Sequence, residues 1–218
     1  DIIDHGKARR TVIGADVVKL EQPLGGDRMR YLGHRRGGIG AFWASCNRGK
    51  RSLVLDLAQP EGVALVKRLA ERSDVFLQNF RPGVADKLGV GAARLRALNP
   101  RLVYVSISGF GATGPAAARP AYDTVAQAAS GFLKLLVNPE NPRVVGPAIA
   151  DALTGFYAAY GALGALVERG RTGVGRTVEV SMLEAMAHFN LDAFTHFFQV
   201  DEVMGPYSRP RVSQSYVL

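Results

Sequence analysis

Residues 102–108, LVYVSIS, decide the fold. The run is almost continuously apolar, rich in β-branched and aromatic side chains, and bounded by Asn99-Pro100 in front and Gly109 behind. Such a segment is a strand with both faces covered, which is what a parallel sheet requires. Working back toward the N-terminus, residues 74–77 (DVFL) and 51–57 (RSLVLDL) read as two more strands. Between those two lies a helix opened by Pro60-Glu61, with Val63, Leu65, Val66 and Leu69 on its inner face. Two short helices, 84–88 and 92–98, connect residues 74–77 to the deciding strand, the second stopping at Asn99-Pro100. Residues 15–21 add one strand before Pro23, Gly25 and Gly26 break it. Strand alternating with helix in this way predicts an α/β architecture with a parallel sheet.

Forward of that strand, residues 109–114 (GFGATG) match the G-x-G-x-x-G spacing of dinucleotide sites. The spacing works only where a helix opens directly behind it and an acidic residue follows about 20 positions on. Pro115, three alanines, Arg119 and Pro120 come instead, so the loop is assigned to another ligand and to part of a lid. Residues 122–137 read as a helix and 138–142 as a turn.

Residues 143–184, RVVGPAIADALTGFYAAYGALGALVERGRTGVGRTVEVSMLE, hold the carboxylate best placed for chemistry. Asp151 stands where a short apolar run with Gly146 and Pro147 gives way to a helix. Its side chain is placed to accept from the first free helix N–H groups, and the helix dipole favours its anion. Taken alone, that pattern is an N-cap. The helix carries Leu153, Phe156, Tyr157, Tyr160, Leu163 and Val167 at steps of three and four and closes at Gly170. Small residues fill its other positions, allowing a backbone or a flat ligand to approach closely. Residues 177–182 alternate as a strand, and a second helix from Leu183 runs through 185–199. His188 and His196 lie eight apart without the i, i+4 partner of a helical zinc pair, so no metal site is expected.

The 218 residues suit one large domain or one and a half. Apolar residues at 47% and charged residues at 21% are those of a globular chain, and no run approaches the ~18 apolar residues of a membrane span. The first ten residues lack an apolar core, so neither a signal peptide nor membrane insertion is expected. Cys46 stands alone, which rules out an internal disulfide and fits a reducing cytoplasm. The formal charge of +8 favours anionic ligands. Arg28, Arg30, Arg35, Arg36, Arg48, Lys50 and Arg51 are scattered among glycines rather than gathered into a helical stripe. A phosphorylated cofactor therefore fits better than specific nucleic acid, and most of these side chains read as solvated surface. Residues 23–49 read as a long functional loop with one short helix, and 1–13 carry no pattern. Because residues 215–218 look like the opening of a strand, the chain is expected to be a fragment. Residues 1–199 would be its large domain and 200–218 a linker toward a second, smaller one.

Four collinear blocks carry a stronger signal than any one motif. They are GADVVKLEQPLGGDRMR (14–30), NRGKRSLVLDLAQPEG (47–62), DVFLQNFRPGVADKLGV through NPRLVYVSISGFGATGP (74–115), and AYDTVAQAASG through IADALTG to GRTGVGRTVEVSMLEA (121–185). Together they resemble the family III CoA-transferases, typified by formyl-CoA and carnitine CoA-transferases. The resemblance implies a Rossmann-like large domain, an interlocked homodimer and a cytoplasmic enzyme. It also implies CoA transfer from an acyl-CoA thioester to a small carboxylic acid, with coenzyme A as substrate and no permanently bound cofactor. Carried over residue by residue, it places the acyl-accepting aspartate at Asp151 and CoA contacts at Arg30, Leu55, Asn79, Phe80, Lys87 and Leu88. These types fit, since Arg30 can pair with a phosphate while Leu55, Phe80 and Leu88 can flank adenine or the pantetheine arm. Without the collinear match, Arg30 reads as surface and Asn79 as a turn former. Residues 1–13 do not match the family's first strand and following loop, whereas residues 213–216 match the segment leading to its smaller domain.

The implied chemistry is covalent catalysis by a carboxylate, through an aspartyl mixed anhydride and an aspartyl-CoA thioester. Two readings compete. The α-methylacyl-CoA racemases share the resemblance but use an acid/base pair with a histidine in a Gly-His-Asp block; here the block is Ala121-Tyr122-Asp123, and no histidine lies between Phe42 and Gly170. A non-catalytic CoA- or polyanion-binding protein would use Arg30 and have no need of Asp151.

Overall fold

The computed structural model describes the backbone of residues 2–4 and residues 14–138, 140–141 and 146–201. They form two compact units, Asp1–Ser108 with Gly155–Glu179, and Gly109–Thr154 with Val180–Leu218. The strands in chain order are β1 (Ile2–Asp4), β2 (Val17–Glu21), β3 (Arg35–Arg36), β4 (Ile39–Gly40), β5 (Arg51–Val54), β6 (Val75–Gln78), β7 (Val103–Ser108) and β8 (Thr177–Ser181). The helices are α1 (Ala41–Asn47), α2 (Pro60–Ala70), α3 (Val84–Lys87), α4 (Ala92–Leu98), α5 (Asp123–Ala129), α6 (Phe132–Leu136), α7 (Ile149–Thr172), α8 (Met182–Phe189) and α9 (Leu191–Val200).

The first unit is built on a sheet in the order β5-β2-β1-β6-β7-β8, with β1–β2, β1–β6, β2–β5 and β6–β7 all parallel. Ranked by first appearance these strands run 3-2-1-4-5-6, the doubly wound order in which ligands bind past the carboxyl ends of the strands where the order reverses. That point lies between β1 and β6. All four positions of β6 are buried, as are Val103, Tyr104 and Val105 of β7, so the continuous apolar runs lie where both faces are covered. Phe76 and Tyr104 face one another in register and stack at 5.3 Å. Around them Leu20, Val66, Val90, Leu95 and Leu102 close one core with α2, α3 and α4.

Several expectations are corrected. Residues 1–13, which carry no pattern in the sequence, contain the central strand β1; three residues are too short to show a period. The 23–49 loop contains, besides α1, a 3-10 turn (Arg28–Tyr31) and a β3–β4 hairpin. The hairpin turns on Gly37 and Gly38, at φ 58° and 80°, the left-handed pair that two-residue hairpin turns demand. Helix α7 runs past Gly170 to Thr172, with Gly173 at φ 76° behind it. Its small face is the buried one (Ala158, Ala162, Ala165), whereas Phe156, Tyr160 and Val167 are 67%, 79% and 67% exposed. The cause is close approach: a Cβ on Gly161 would lie 2.7 Å from Val178 of β8. Of the expected 200–218 linker, Val200 ends α9 and Asp201 caps it; residues 202–218 lie outside the described residues, as do residues 5–13.

In the second unit the expected 122–137 helix is two, α5 and α6, divided at Gly131 with φ 77°. The expected 185–199 helix also divides, at Asn190, whose side-chain amide donates to the Ser130 carbonyl at 3.3 Å. Ala126, Phe132, Ala150, Met182 and Met186 form the core here.

Candidate active site

The six expected CoA contacts all lie in the first unit and Asp151 lies in the second. Leu55 follows the last residue of β5 directly, and Asn79 and Phe80 follow β6 at the point of strand reversal. Lys87 is the last residue of α3, and Leu88 caps it. Leu55, Phe80 and Leu88 are half-buried against the same apolar core, while Asn79 and Lys87 are exposed. Gly83, at φ 79°, turns the chain from Asn79-Phe80-Arg81-Pro82 into α3, a conformation that costs a side chain about 1 kcal/mol.

Arg30 has a role within the fold. Its Nε and Nη2 donate to the two carboxylate oxygens of Glu21 at 2.8 and 2.9 Å, and its guanidinium carbon lies 3.9 Å from the Trp43 ring centroid. Glu21 also accepts from the Asp27 N–H at 2.9 Å and lies 3.7 Å from the Lys19 ammonium, which in turn pairs with Asp27. Two cations and two anions thus compensate one another at the carboxyl end of β2, with Lys19 and Glu21 only 2% and 5% exposed. Burial alone would raise the Glu21 carboxyl. The Arg30 and Asp27 hydrogen bonds and the neighbouring cations outweigh it and hold the group below its ordinary value. The Glu21 hydrogen bond raises Arg30 despite partial burial. This bracing of the loop after β2 is invisible in a sequence that merely shows a GD-x-x-R pattern.

In the second unit Asp151 is half-buried in the first turn of α7, and the capping role assigned to it belongs to another residue. Asp123, the first residue of α5, accepts on Oδ1 from the N–H groups of Ala150 (2.8 Å) and of Asp151 itself (3.2 Å). Its Oδ2 accepts from the buried Gln127 amide at 2.5 Å. One carboxylate therefore ties the start of α7 to the start of α5 across 28 residues of chain, and its charge suits the positive end of the helix. The correction has a simple cause: which acid reaches a helix N-terminus first is a tertiary matter.

No helix opens behind the 109–114 loop until Asp123, so the loop lacks the setting of a dinucleotide fingerprint. Gly109 is required there, since its Cβ would lie 2.3 Å from that of Ala121. Among the described residues no group of three metal-binding side chains occurs, and no helix is long and apolar enough to cross a membrane.

The sequence profile of CoA-transferase family III matches residues 12–216. The chain is 40% identical over 183 residues to a succinate–glutarate CoA-transferase of Agrobacterium fabrum, an alignment covering 80% of this chain and 46% of that one. It is 41% identical over 181 residues to an acetyl-CoA:oxalate CoA-transferase of Acetobacter aceti, covering 82% and 46%. The crystal structure of a CAIB/BAIF family protein from Brucella suis superposes with a TM-score of 0.87 at 34% identity, over 94% of this chain and 57% of that one. The chain spans about half the length of the curated relatives it matches.

Proposed function

The chain belongs to CoA-transferase family III, and we propose that it carries the CoA-binding and acyl-accepting parts of an enzyme that moves CoA from an acyl-CoA thioester to a free carboxylic acid. Arg30, Leu55, Asn79, Phe80, Lys87 and Leu88 hold the CoA, Asp151 takes the acyl group, and Arg30 also shapes the loop after β2. The observation that carries the reading is the position of Asn79 and Phe80 at the point where the order of the parallel strands reverses. Relatives named for succinate, glutarate and oxalate make short dicarboxylic acids the first acceptors to try. A homodimer acting in the cytoplasm completes the proposal.

The Asp151 carboxylate attacks the thioester carbonyl; the new C–O bond forms, the C–S bond breaks, and CoA leaves as thiolate. The thiolate attacks the aspartyl carbonyl of the resulting anhydride, forming an aspartyl thioester and releasing the donor acid as carboxylate. The acceptor carboxylate then displaces the thiolate from that thioester, and the thiolate attacks the acceptor carbonyl of the second anhydride. Product acyl-CoA and the original carboxylate result, with no net proton transfer and no ATP. Water must be excluded throughout, and the 109–114 loop is the proposed lid.

Incubating the full-length protein with acyl-CoA and mapping peptides by mass spectrometry tests this. An adduct on Asp151 is the expected result, and the same adduct mass in Asp151→Asn overturns it. A racemase would instead exchange the α-proton of its acyl-CoA with solvent deuterium.

A further inference from the structure

Gln78 is the last residue of β6, next to the strand-order reversal, and is only 4% exposed. An amide in that position is unfavourable unless both its ends are bonded. Both are. Nε2 donates to the Ser106 hydroxyl of β7 at 2.8 Å, and Oε1 accepts from the Phe80 N–H at 2.6 Å. The first bond lies across a registered pair of neighbouring strands, Gln78 opposite Ser106. The second reaches beyond the ladder, to a backbone group in the turn that follows it. The bond to Ser106 and the interaction with the Tyr104 hydroxyl lie within the sheet, whereas the bond to Phe80 reaches the turn and is the one that bears on binding.

We infer that Gln78 is a positioning residue for CoA binding: it anchors the Asn79–Phe80 turn to β7 through Ser106 and so holds both side chains ready for the CoA thioester. This rests on the reading that Asn79 and Phe80 contact CoA. Without the anchor the turn loses the bond that ties its backbone to β7, and binding must then select the competent conformer from a wider set. The loss accordingly falls on acyl-CoA affinity, since Gln78 touches no reacting atom.

The full-length enzyme is compared as wild type, Gln78→Leu, Gln78→Glu, Ser106→Ala and Phe80→Ala, with KM for acyl-CoA, KM for the acceptor acid, kcat and CoA dissociation constant measured for each. Gln78→Leu should raise the acyl-CoA KM and the CoA dissociation constant about tenfold, the scale of one lost directional bond, while kcat and the acceptor KM stay within about threefold. Gln78→Glu should recover affinity as pH falls and its buried carboxyl is neutralised, because the neutral acid accepts from the Phe80 N–H and donates to the Ser106 hydroxyl, whereas the buried anion is costly; no gain at low pH relative to Gln78→Leu counts against the anchor. Wild-type acyl-CoA KM in Gln78→Leu, or a loss confined to kcat, overturns the inference. If Gln78→Leu fails to fold, Ser106→Ala decides: a raised acyl-CoA KM at unchanged kcat supports the anchor, and unchanged parameters overturn it. Phe80→Ala separates the two layers. Unchanged CoA affinity there refutes the contact reading itself, whereas weakened affinity there beside wild-type Gln78→Leu refutes the anchor alone.

Discussion

Replacing Glu21 by Gln is the sharpest probe of what holds the loop after β2. The substitution keeps the side chain's shape but removes one of two negative charges facing Lys19 and Arg30, so a charge-balanced cluster acquires a net charge of +1. It also opposes an amide N–H₂ to one arm of the Arg30 fork, which donates to both Glu21 oxygens. Lys19 keeps its pairing with Asp27, so the charge left short of a partner is that of Arg30, whose side chain is 33% exposed. Losing hydrogen bonds to a charged group costs about 1.5–3 kcal/mol, set against a total stability of about 5–15 kcal/mol. With a urea m-value of about 2 kcal/mol/M, the midpoint should fall by about 1 M. Trp43, the lone tryptophan, sits against Arg30, so urea unfolding followed by its fluorescence reports on the cluster directly. The effect has a pH signature. The folded carboxyl is held below its ordinary value, so its stabilisation is fully present above the unfolded pKa of about 4.5 and is lost as pH falls through the folded value. Glu21→Gln should lack that part of the acid slope. A loss under about 1 kcal/mol, or an unchanged acid slope, would refute the account.

Two further outcomes are expected. Asp123→Ala removes the acceptor of two N–H groups at the start of α7 and should cost about 1–2 kcal/mol by thermal or urea unfolding, with Asp123→Asn recovering most of it. Gly175→Ala would put a Cβ 2.1 Å from the Leu102 carbonyl oxygen and should destabilise by about 3 kcal/mol or more, whereas Gly164→Ala meets nothing within 4 Å in mid-helix and should gain about 0.5–1 kcal/mol; calorimetry of the pair checks both signs.

The parallel α/β core was legible because buried strands announce themselves: residues 74–77 and 102–108 are apolar at nearly every position, and the structure covers them on both faces. Helix breaks were less so. Nothing in the periodicity of 122–137 or 185–199 signals a divide, and Gly131 and Asn190 act there through backbone conformation and a bond to Ser130. The Gly37-Gly38 hairpin was available in the sequence as a paired left-handed turn but is masked by a glycine-rich context. Of the site, residues next to strand ends were within reach of motif reading. Asp123, Gln78 and the Glu21–Arg30–Trp43 contacts were not, because each partner is supplied by a different element and only folding brings them together.

The shortest strand of the six-stranded sheet has a consequence of its own. Ile2–Asp4 pairs with residues from position 17 on one flank and position 75 on the other, making it the seam between two half-sheets. Neither half can join the other without it, and each would otherwise offer a raw, hydrogen-bond-hungry border to any passing chain. Three residues thus decide whether the strands on either side find their proper neighbour, and the closing of that seam, between positions 2 and 75, is a long-range event of the slow kind.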